Sequence, residues 1–388
     1  MKILHFSTWA TGGAAKAASR LSDALIELGE DSRVIHMSSK IPAYIDAAIG
    51  KLTDDNNPIF HSYNFFPDNF AKIIKMESPD IIHIHWIGAG FVRPESLSSC
   101  KIPIVWTLHD LWPLLGAEHL PLGITRMREG YLTTNRPNKE SGLDLNRLVW
   151  QRKKRYWSDI NITYIAPSKY VHSLAKKSYL IKTTQELNQI YNFVNLDFVP
   201  NTKVLDNGDL SILVVGTNLD TDKNKGLDLL LESLKKLPMN MTQKIKITII
   251  GVDTLDPKIF LHFKSYKLIS SVNSDTELVS YYQDSTLTIV PSRIETLSYV
   301  ALESLSCGTP VVAFKVGGIP ELVIHNKNGY LAKPYDASDL ARGITTILSS
   351  PKLRSQMSAS ALSHVKHNFS KDKIVREHLE LYKSILNR

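Results

Sequence analysis

Residues 286–314 read TLTIVPSRIETLSYVALESLSCGTPVVAF. They contain a short aliphatic run, a polar turn, a helical pattern and a second aliphatic run. We predict a strand over 286–291, a helix near 300–306 and a strand over 310–314. Two such strands joined by a helix form a βαβ unit, the building block of a parallel sheet that is covered on both faces.

The same alternation continues in both directions and predicts an α/β fold with two doubly wound domains. Predicted strands cover 2–6, 32–37, 81–85, 104–108 and 162–167, and then 211–216, 244–251, 286–291 and 310–314. Predicted helices include 14–28, 226–236, 276–283, 300–306, 337–349, 351–366 and 371–386. A polar stretch over 192–208 is the predicted linker. We therefore expect domains over 1–200 and 201–368, with ligands bound at the carboxyl ends of the strands.

Composition and charge exclude several classes of protein. The 388 residues are 43% hydrophobic and 22% charged, as in ordinary globular chains. The net charge of +8 is evenly spread, because each half holds 23 basic against 19 acidic residues, which argues against a nucleic-acid-binding tail. Two cysteines, Cys100 and Cys307, predict reduced thiols rather than a disulfide scaffold. Without a long apolar run or a signal peptide, we expect a cytoplasmic protein.

Two carboxylates flank a predicted helix start in the 286–314 stretch. Glu295 follows the first strand of this unit, and Glu303 lies within the helix that begins near Ser298. The first N–H groups of a helix have no partner within it and attract phosphate. Amides for phosphates and carboxylates for hydroxyls together suit a sugar nucleotide.

Glu295 and Glu303 enclose seven residues, and this spacing resembles the E-x7-E motif of the retaining family-four glycosyltransferases of the GT-B fold. The resemblance extends to Cys-Gly-Thr-Pro-Val-Val-Ala at 307–313 and Val-Gly-Gly-Ile-Pro-Glu at 316–321. It implies two Rossmann-like domains that face each other across a cleft: an N-terminal acceptor-binding domain and a C-terminal donor-binding domain. It also implies a terminal helix, over 369–388, that packs back on the N-terminal domain.

The resemblance implies roles for individual residues. Glu303 would bind the ribose of the nucleotide, and Glu295 would face the hydroxyls of the donor sugar. The amides of Leu297 and Ser298 would approach the sugar and the diphosphate, although many family members have Gly-Phe-Gly where this chain has Thr-Leu-Ser at 296–298.

Two glycine-containing loops also match the family. Gly12 and Gly13 follow the first strand, where the family places a Gly-Gly pair at the phosphates and the acceptor; Lys16 follows them. The loop 216–226 resembles the Gly-Arg…Lys-Gly loop that neutralises the donor diphosphate. Lys225 matches its lysine, Thr217 replaces its arginine, and Lys223 is the substitute we expect. Asp-Thr-Asp at 220–222 also reads as the manganese-binding D-x-D motif, a match that is frequent by chance; we expect no metal site.

Histidines mark the carboxyl ends of two predicted strands. His109 follows the strand 104–108, where the resemblance implies a contact with the 6-hydroxyl of the donor sugar. His83 and His85 alternate along the strand 81–85 like a metal pair. The sequence shows no third ligand, so we expect these two histidines to line or brace the cleft at the strand end.

Two basic segments lie outside these motifs. Residues 113–145, with Arg126, Arg128, Arg136 and Lys139, form a long predicted loop and a candidate for acceptor recognition. Residues 147–157 interleave five basic residues with Trp150, Tyr156 and Trp157. A solvated helix face and docking on an anionic membrane both remain open for this segment.

These observations lead to the hypothesis of a metal-independent, retaining glycosyltransferase without a resident cofactor. It would move a sugar from a nucleoside-diphosphate sugar to a saccharide or lipid-linked saccharide acceptor in bacterial surface-polysaccharide assembly, at the inner face of the membrane. Lys225, Glu295 and His109 are the predicted catalytic residues. The alternatives are a sugar-nucleotide 2-epimerase of the same fold and a non-catalytic carbohydrate-binding assembly protein.

Overall fold

The computed structural model describes residues 1–51, 59–121, 123–181, 186–194, 210–272 and 274–388. The chain divides into two compact units. The first comprises Met1–Asn192 together with Asp372–Arg388, and the second comprises Phe193–Lys371. The predicted boundary after residue 200, and most of the predicted linker, lie outside the described residues.

A six-stranded parallel sheet forms the centre of the first unit, with the strand order β2-β1-β3-β4-β5-β6. Its strands are β1 Lys2–Ser7, β2 Asp31–Ile35, β3 Ile81–Trp86, β4 Ile104–Thr107, β5 Ile162–Ala166 and β6 Leu187–Gln189. The interior strands are almost entirely buried because helices cover both faces, which explains their continuous aliphatic runs.

Among the described residues of the first part of the chain, the helices that accompany this sheet are α1 Gly13–Glu27, α2 Ile41–Gly50, α3 Phe70–Glu77, α4 Pro94–Ser98, α5 Thr125–Glu129, α6 Leu145–Trp157 and α7 Lys169–Ala175. A 3-10 helix spans Trp112–Leu114. In α1, Ala17, Ala18, Leu21 and Leu25 recur at helical spacing and are buried. All six tryptophans of the chain lie in this unit.

The second unit holds another six-stranded parallel sheet, with the order β12-β11-β10-β7-β8-β9. Its strands are β7 Leu210–Val215, β8 Ile245–Ile250, β9 Ser265–Ile269, β10 Leu287–Val290, β11 Val311–Phe314 and β12 Gly329–Ala332. Its helices are α8 Leu227–Leu234, α9 Met239–Thr242, α10 Asp275–Gln283, α11 Tyr299–Ser306, α12 Ile319–Leu322, α13 Ala337–Leu348 and α14 Pro351–Asn368, with 3-10 helices at Lys223–Lys225 and Pro257–Phe260.

The last helix, α15 Lys371–Leu386, belongs with the first unit from Asp372 onward. Ile374, Val375, His378, Leu381 and Tyr382 are buried along one face of it. The Tyr382 hydroxyl lies 2.6 Å from Nδ1 of His83, in the middle of β3. This contact joins the end of the chain to the interior of the first sheet.

The structure confirms the α/β class and every predicted strand, with ends that shift by one or two residues. Three strands were not predicted: β6, β9 and β12. All three lie at sheet edges, where a strand pairs on one side only. In β9, for example, Ser265, Tyr266 and Lys267 are exposed, so this edge strand lacks the buried apolar run that identifies an interior strand.

Each sheet reverses its strand order at one point. The reversal lies between β1 and β3 in the first sheet and between β7 and β10 in the second. In open α/β sheets, ligands bind outside the carboxyl ends of the strands at this point. The loops that follow β1, β3, β7 and β10 are therefore the positions to examine for a functional site.

Candidate functional site

The loop that follows β7 is fixed to the segment that follows β10. The main-chain N–H of Arg293 donates to the carbonyl of Asn224 at 2.8 Å, and the Asn224 side chain donates to the carbonyl of Ile294 at 3.0 Å. These two bonds connect segments about 70 residues apart in sequence at the point where the second sheet reverses.

Arg293 strengthens this connection and was not among the predicted residues. Its guanidinium donates to the carbonyl of Lys223 at 2.7 Å and to both carboxylate oxygens of Asp228, at 2.8 and 2.6 Å. Such a bidentate pair fixes geometry as well as charge. The sequence signal was an arginine three residues after a strand end; its carboxylate partner lies in the first turn of α8.

These contacts of Asn224 and Arg293 hold the loop after β7 beside the segment after β10, and a lysine–glutamate pair forms between the two. The Lys225 ammonium lies 3.3 Å from Oε1 of Glu295, with 28% of the Lys225 side chain and 16% of the Glu295 side chain exposed. The Glu295 carboxylate raises the pKa of Lys225, so the ammonium stays charged at neutral pH. The structure thus brings together two of the three predicted catalytic residues.

The main chain of Glu295 is held by the glycine pair that follows β11. The N–H of Gly318 donates to the Glu295 carbonyl at 2.9 Å. Gly317 adopts φ +55°, and a Cβ at this position would lie 1.9 Å from the same carbonyl oxygen. Glycine at 317 is therefore required for the close approach that positions Glu295.

Glu303 lies on α11, as predicted, with its side chain buried. The Tyr282 hydroxyl of α10 donates to its Oε2 at 3.1 Å. Ser298 is the N-cap of α11, and its hydroxyl accepts from the N–H of Ala301 at 3.4 Å. The helix start that the sequence predicts near Ser298 is thus present, with Leu297 buried beside it.

The remaining predicted donor-binding residues of the second unit lie on the surface of the loop after β7. Thr217 and Lys223 have exposed side chains. Asp222 of the D-x-D triplet caps the 3-10 helix, because its Oδ1 accepts from the N–H of Asn224 at 2.9 Å. Asp222 therefore has a structural role in this loop.

In the first unit, Gly12 and Gly13 lie where β1 leads into α1. Gly12 is the N-cap residue with φ +95°, a conformation that favours glycine, and the space beside its Cα is open to beyond 4 Å. Gly13 is exposed and begins the helix, with Lys16 one turn further on. An anion would meet main-chain N–H groups here.

Of the two expectations for His83 and His85, the structure excludes lining, because both are buried inside β3 with at most 2% exposed. His85 instead braces the strand end, since its Nδ1 lies 2.9 Å from Nε2 of His109. Because β1 pairs with β3 and aligns His5 with His83, a third buried histidine lies beside them, and its ligand atom and theirs lie within 4.8 Å of one another. We call His5, His83, His85, His109 and His378 the histidine cluster. The sequence signal was one histidine within the strand 2–6 and two within the strand 81–85.

His109 lies two residues after β4, as predicted, and is half-buried. Its Nε2 is 2.9 Å from Nδ1 of His85. It belongs to the first unit, whereas Lys225 and Glu295 belong to the second. The predicted catalytic residues therefore form two groups, one at the carboxyl edge of each sheet.

An aromatic surface lies at the same edge of the first sheet and was not predicted. The rings of Trp9 and Phe60 lie 6.5 and 6.1 Å from that of Trp86, and Phe60 is 56% exposed. Asp110 accepts hydrogen bonds from the Trp86 indole and from His119. Aromatic faces beside a carboxylate suit the C–H and hydroxyl groups of a sugar ring.

A serine–histidine–aspartate arrangement also occurs here. Nε2 of His119 is 2.7 Å from the Ser62 hydroxyl, and its Nδ1 contacts Asp110. Ser62 is fully buried, however, and its oxygen accepts the N–H of Ala89 at 2.8 Å. A substrate carbonyl cannot reach this hydroxyl, so the arrangement is structural.

The helix α6 buries part of the segment for which a solvated helix face and membrane docking were both open. Trp150, Lys153 and Trp157 are buried. The Lys153 ammonium donates to three carbonyls, those of Trp112, Leu115 and Gly116, and lies over the Trp112 ring at 3.5 Å. The aromatic part of the membrane-docking prediction is therefore wrong, because those rings pack in the core of the first unit.

The loop before this helix is also folded on itself. Arg126 pairs with Asp144 at 2.6 Å, and Arg136 donates to the carbonyls of Ser141 and Gly142. Arg128 and Lys139 have exposed side chains. Of the four basic residues named for acceptor recognition, two thus hold the loop together.

Comparison with known proteins agrees with this architecture. A model of Glycosyltransferase Family 4 matches residues 11–198, and a model of Glycosyl transferases group 1 matches residues 201–364. The chain belongs to the glycosyltransferases of the GT-B fold. Among curated relatives, D-inositol 3-phosphate glycosyltransferase of Thermobifida fusca is 42% identical over 88 residues, which are 23% of this chain and 20% of that protein.

Solved structures of this fold include similar chains. Sucrose-phosphate synthase from Thermosynechococcus elongatus has a TM-score of 0.72 at 16% identity, covering 100% of this chain and 99% of that one. Anabaena HepE, solved in complex with UDP-glucose, has a TM-score of 0.66 at 17% identity, covering 99% of this chain and 100% of that one. Both support the GT-B fold.

Within the part of the chain that the structure describes, every helix is too short or too polar to cross a membrane.

We expect acid to destabilise the first unit through the histidine cluster. Burial lowers the pKa of His5 to about 3 and of His109 and His378 to about 4, and it holds the pKa of His83 and His85 well below the ordinary 6.5. Below pH 6.5 the unfolded chain binds protons that the folded unit does not, so stability falls by up to about 1.4 kcal/mol per pH unit for each histidine.

Glu118 opposes this effect, because burial raises its pKa to about 7, but it contributes only one proton. Denaturant unfolding followed by tryptophan fluorescence reports on the first unit alone and should show a lower free energy of unfolding at pH 5 than at pH 7. His378→Phe removes one of the five titrating histidines and should reduce this pH dependence by the contribution of that one group. Equal stabilities at the two pH values would contradict the prediction.

Proposed function

We propose that this glycosyltransferase transfers a sugar from a nucleoside-diphosphate sugar to a saccharide or lipid-linked saccharide acceptor, with retention of configuration and without a catalytic metal. The observation that carries the proposal is the Lys225–Glu295 pair, which lies beside the start of α11 at the point where the second sheet reverses. A cation, a carboxylate and main-chain amides at one place are what a sugar diphosphate requires.

The chemistry follows from charge. As the bond between the sugar and the diphosphate breaks, negative charge develops on the phosphate oxygens, and the Lys225 ammonium stabilises it. Thr217 and Lys223, on the same loop, contact the diphosphate, and Gly12 and Gly13 approach it through their main chain. Glu295 accepts hydrogen bonds from sugar hydroxyls, and Glu303 binds the ribose. The complex of Anabaena HepE with UDP-glucose supports a nucleotide-sugar donor.

The family resemblance implies reaction on one face of the sugar, with retention of configuration and without a covalent nucleophile on the enzyme. Departure and attack on that face share one ion-pair-like state, in which the diphosphate itself takes the acceptor proton. His109 orients the sugar by a hydrogen bond to its 6-hydroxyl.

The acceptor side of the proposal rests on the first unit. The aromatic surface of Trp9, Phe60 and Trp86 supports a saccharide acceptor, because aromatic rings stack on the apolar faces of sugar rings. The role in bacterial surface-polysaccharide assembly, at the inner face of the membrane, rests on the family resemblance. The comparisons favour neither the 2-epimerase nor the non-catalytic assembly protein.

The activity is testable without knowing the donor. We expect a thermal-shift screen against UDP-, GDP- and ADP-sugars to identify one donor class that stabilises the protein. Turnover of that donor with saccharide acceptors should continue in EDTA, and the product should keep the anomeric configuration. A strict manganese requirement would contradict metal independence. An isomerised donor in a reaction without acceptor would favour the 2-epimerase.

Removal of the Lys225 charge should slow transfer. Lys225→Met leaves the developing charge on the diphosphate without its cation, and we expect kcat to fall by about 100- to 1000-fold. Lys235→Met, an exposed lysine at the end of α8, is the matched control and should keep full activity. Lys223→Met should have an intermediate effect if Lys223 replaces the missing arginine. Wild-type kcat in Lys225→Met would exclude the proposed role.

The carboxylate of Glu303 should matter for binding more than for chemistry. Glu303→Gln keeps an oxygen that accepts from Tyr282 but removes the charge. We expect the dissociation constant of the nucleoside diphosphate, measured by calorimetry, to rise by about 10- to 100-fold, the equivalent of roughly 1–3 kcal/mol. Tyr282→Phe keeps the charge and is the control. Unchanged affinity in Glu303→Gln would refute ribose binding.

Peripheral contact of residues 147–157 with an anionic membrane remains a prediction. Its basis is now the exposed side chains of Lys154 and Arg155, because the tryptophans are buried. Co-sedimentation with liposomes that contain anionic lipid should exceed that with neutral liposomes and should fall in Lys154→Ala/Arg155→Ala. Equal partitioning to both liposomes would remove the idea.

A further inference from the structure

Three imidazoles of the histidine cluster form a hydrogen-bonded chain. Nδ1 of His5 lies 2.9 Å from Nε2 of His85, and Nδ1 of His85 lies 2.9 Å from Nε2 of His109. His5 lies in β1, His85 lies in β3, and His109 lies two residues after the end of β4. The chain therefore runs from the core of the first unit to the carboxyl edge of its sheet.

The number of protons limits which ring nitrogen of each of these three histidines can carry an N–H. A neutral imidazole carries one N–H, and each ring-to-ring contact needs one donor and one acceptor. If all three rings are neutral, only two arrangements satisfy both contacts. Either every ring carries its proton on Nδ1, or every ring carries it on Nε2, since any mixture leaves His85 with two protons or with none.

The environment of His5, at the buried end of the three hydrogen-bonded rings, distinguishes between these two arrangements. Nε2 of His5 is buried and has no hydrogen-bond partner among the described residues. An orphaned buried N–H is rarer in proteins than an orphaned acceptor. The all-Nε2 arrangement would place an N–H at this atom, whereas the all-Nδ1 arrangement leaves only a lone pair there. The second arrangement is favoured.

Two further observations agree with neutral rings. Burial lowers the pKa of His5 to about 3 and that of His109 to about 4, so both are uncharged at pH 7. A metal ion held by His5, His83 and His85 would have to break existing bonds, because His83 already contacts Tyr382 at 2.6 Å and Thr107 at 2.8 Å through its two nitrogens. The hydrogen bonds give partners to more of these ring nitrogens than coordination of a metal ion would.

We propose that His5 and His85 are positioning residues that hold His109 as the neutral Nδ1–H tautomer. His109 then acts in the transfer reaction as a fixed hydrogen-bond donor through Nδ1, and it does not shuttle a proton. The part of this inference that concerns catalysis rests on the proposed function, whereas the tautomer does not.

Nitrogen chemical shifts of ¹⁵N-histidine-labelled protein at pH 7 test the tautomer directly and need no substrate. We expect His5, His85 and His109 to show a protonated Nδ1 and an unprotonated Nε2. A protonated Nε2 on His109 would overturn the proposal. Tight binding of one equivalent of Zn²⁺, with loss of the His5–His85 contact, would overturn it as well.

Two phenylalanine variants distinguish the effect of the histidine hydrogen bonds from the effect of ring packing alone. His85→Phe removes both contacts, and we expect a mixture of tautomers at His109 with kcat reduced by about tenfold or more and unchanged affinity for the nucleoside diphosphate. His83→Phe changes an equally buried ring of the same strand that takes no part in the His5–His85–His109 hydrogen bonds. The nitrogen signals of His109 should therefore stay as in the wild type. An unchanged tautomer and unchanged kcat in His85→Phe would contradict the positioning role.

The two proposals fail in different ways. The expected nitrogen shifts in a protein that transfers no sugar would uphold the histidine chain and refute the proposed function. If His85→Phe does not fold, the shifts of the wild-type protein still decide the tautomer.

Discussion

Parallel pairing of the strands is the constraint on which this molecule depends. In each unit it places the carboxyl ends of six strands along one edge and leaves a reversal in strand order at one point of that edge. Segments far apart in sequence meet there. The loop after β7 and the segment after β10 carry Lys225 and Glu295, whereas Trp86 ends β3 and the loops after β1 and β4 carry Gly12 and His109.

Glycine and arginine convert this general arrangement into a particular site. Gly317 allows the chain after β11 to approach the Glu295 carbonyl, and Arg293 fixes the loop that carries Lys225. Neither residue needs to touch a ligand to be required. A site of this kind is built from main-chain contacts first, and the charged side chains occupy positions that those contacts have already defined.

The sequence predicts what depends on local pattern and misses what depends on distant pairing. Interior strands and long helices follow from periodicity, whereas edge strands such as β9 lack a buried run. Lys225 and Glu295 could be named because motif spacing marks them. The histidine chain could not, because it depends on the register that aligns β1 with β3. The burial of Lys153 could not be predicted either, because no local signal reveals the three carbonyls that surround its ammonium.

The path of the chain has a consequence for biosynthesis. The first unit takes its final helix, α15, from the far end of the chain, and Tyr382 of that helix contacts His83 in the central part of the first sheet. During translation, the whole second unit is made before Tyr382 exists. Until α15 has been made, the first unit therefore lacks the Tyr382 contact beside β3.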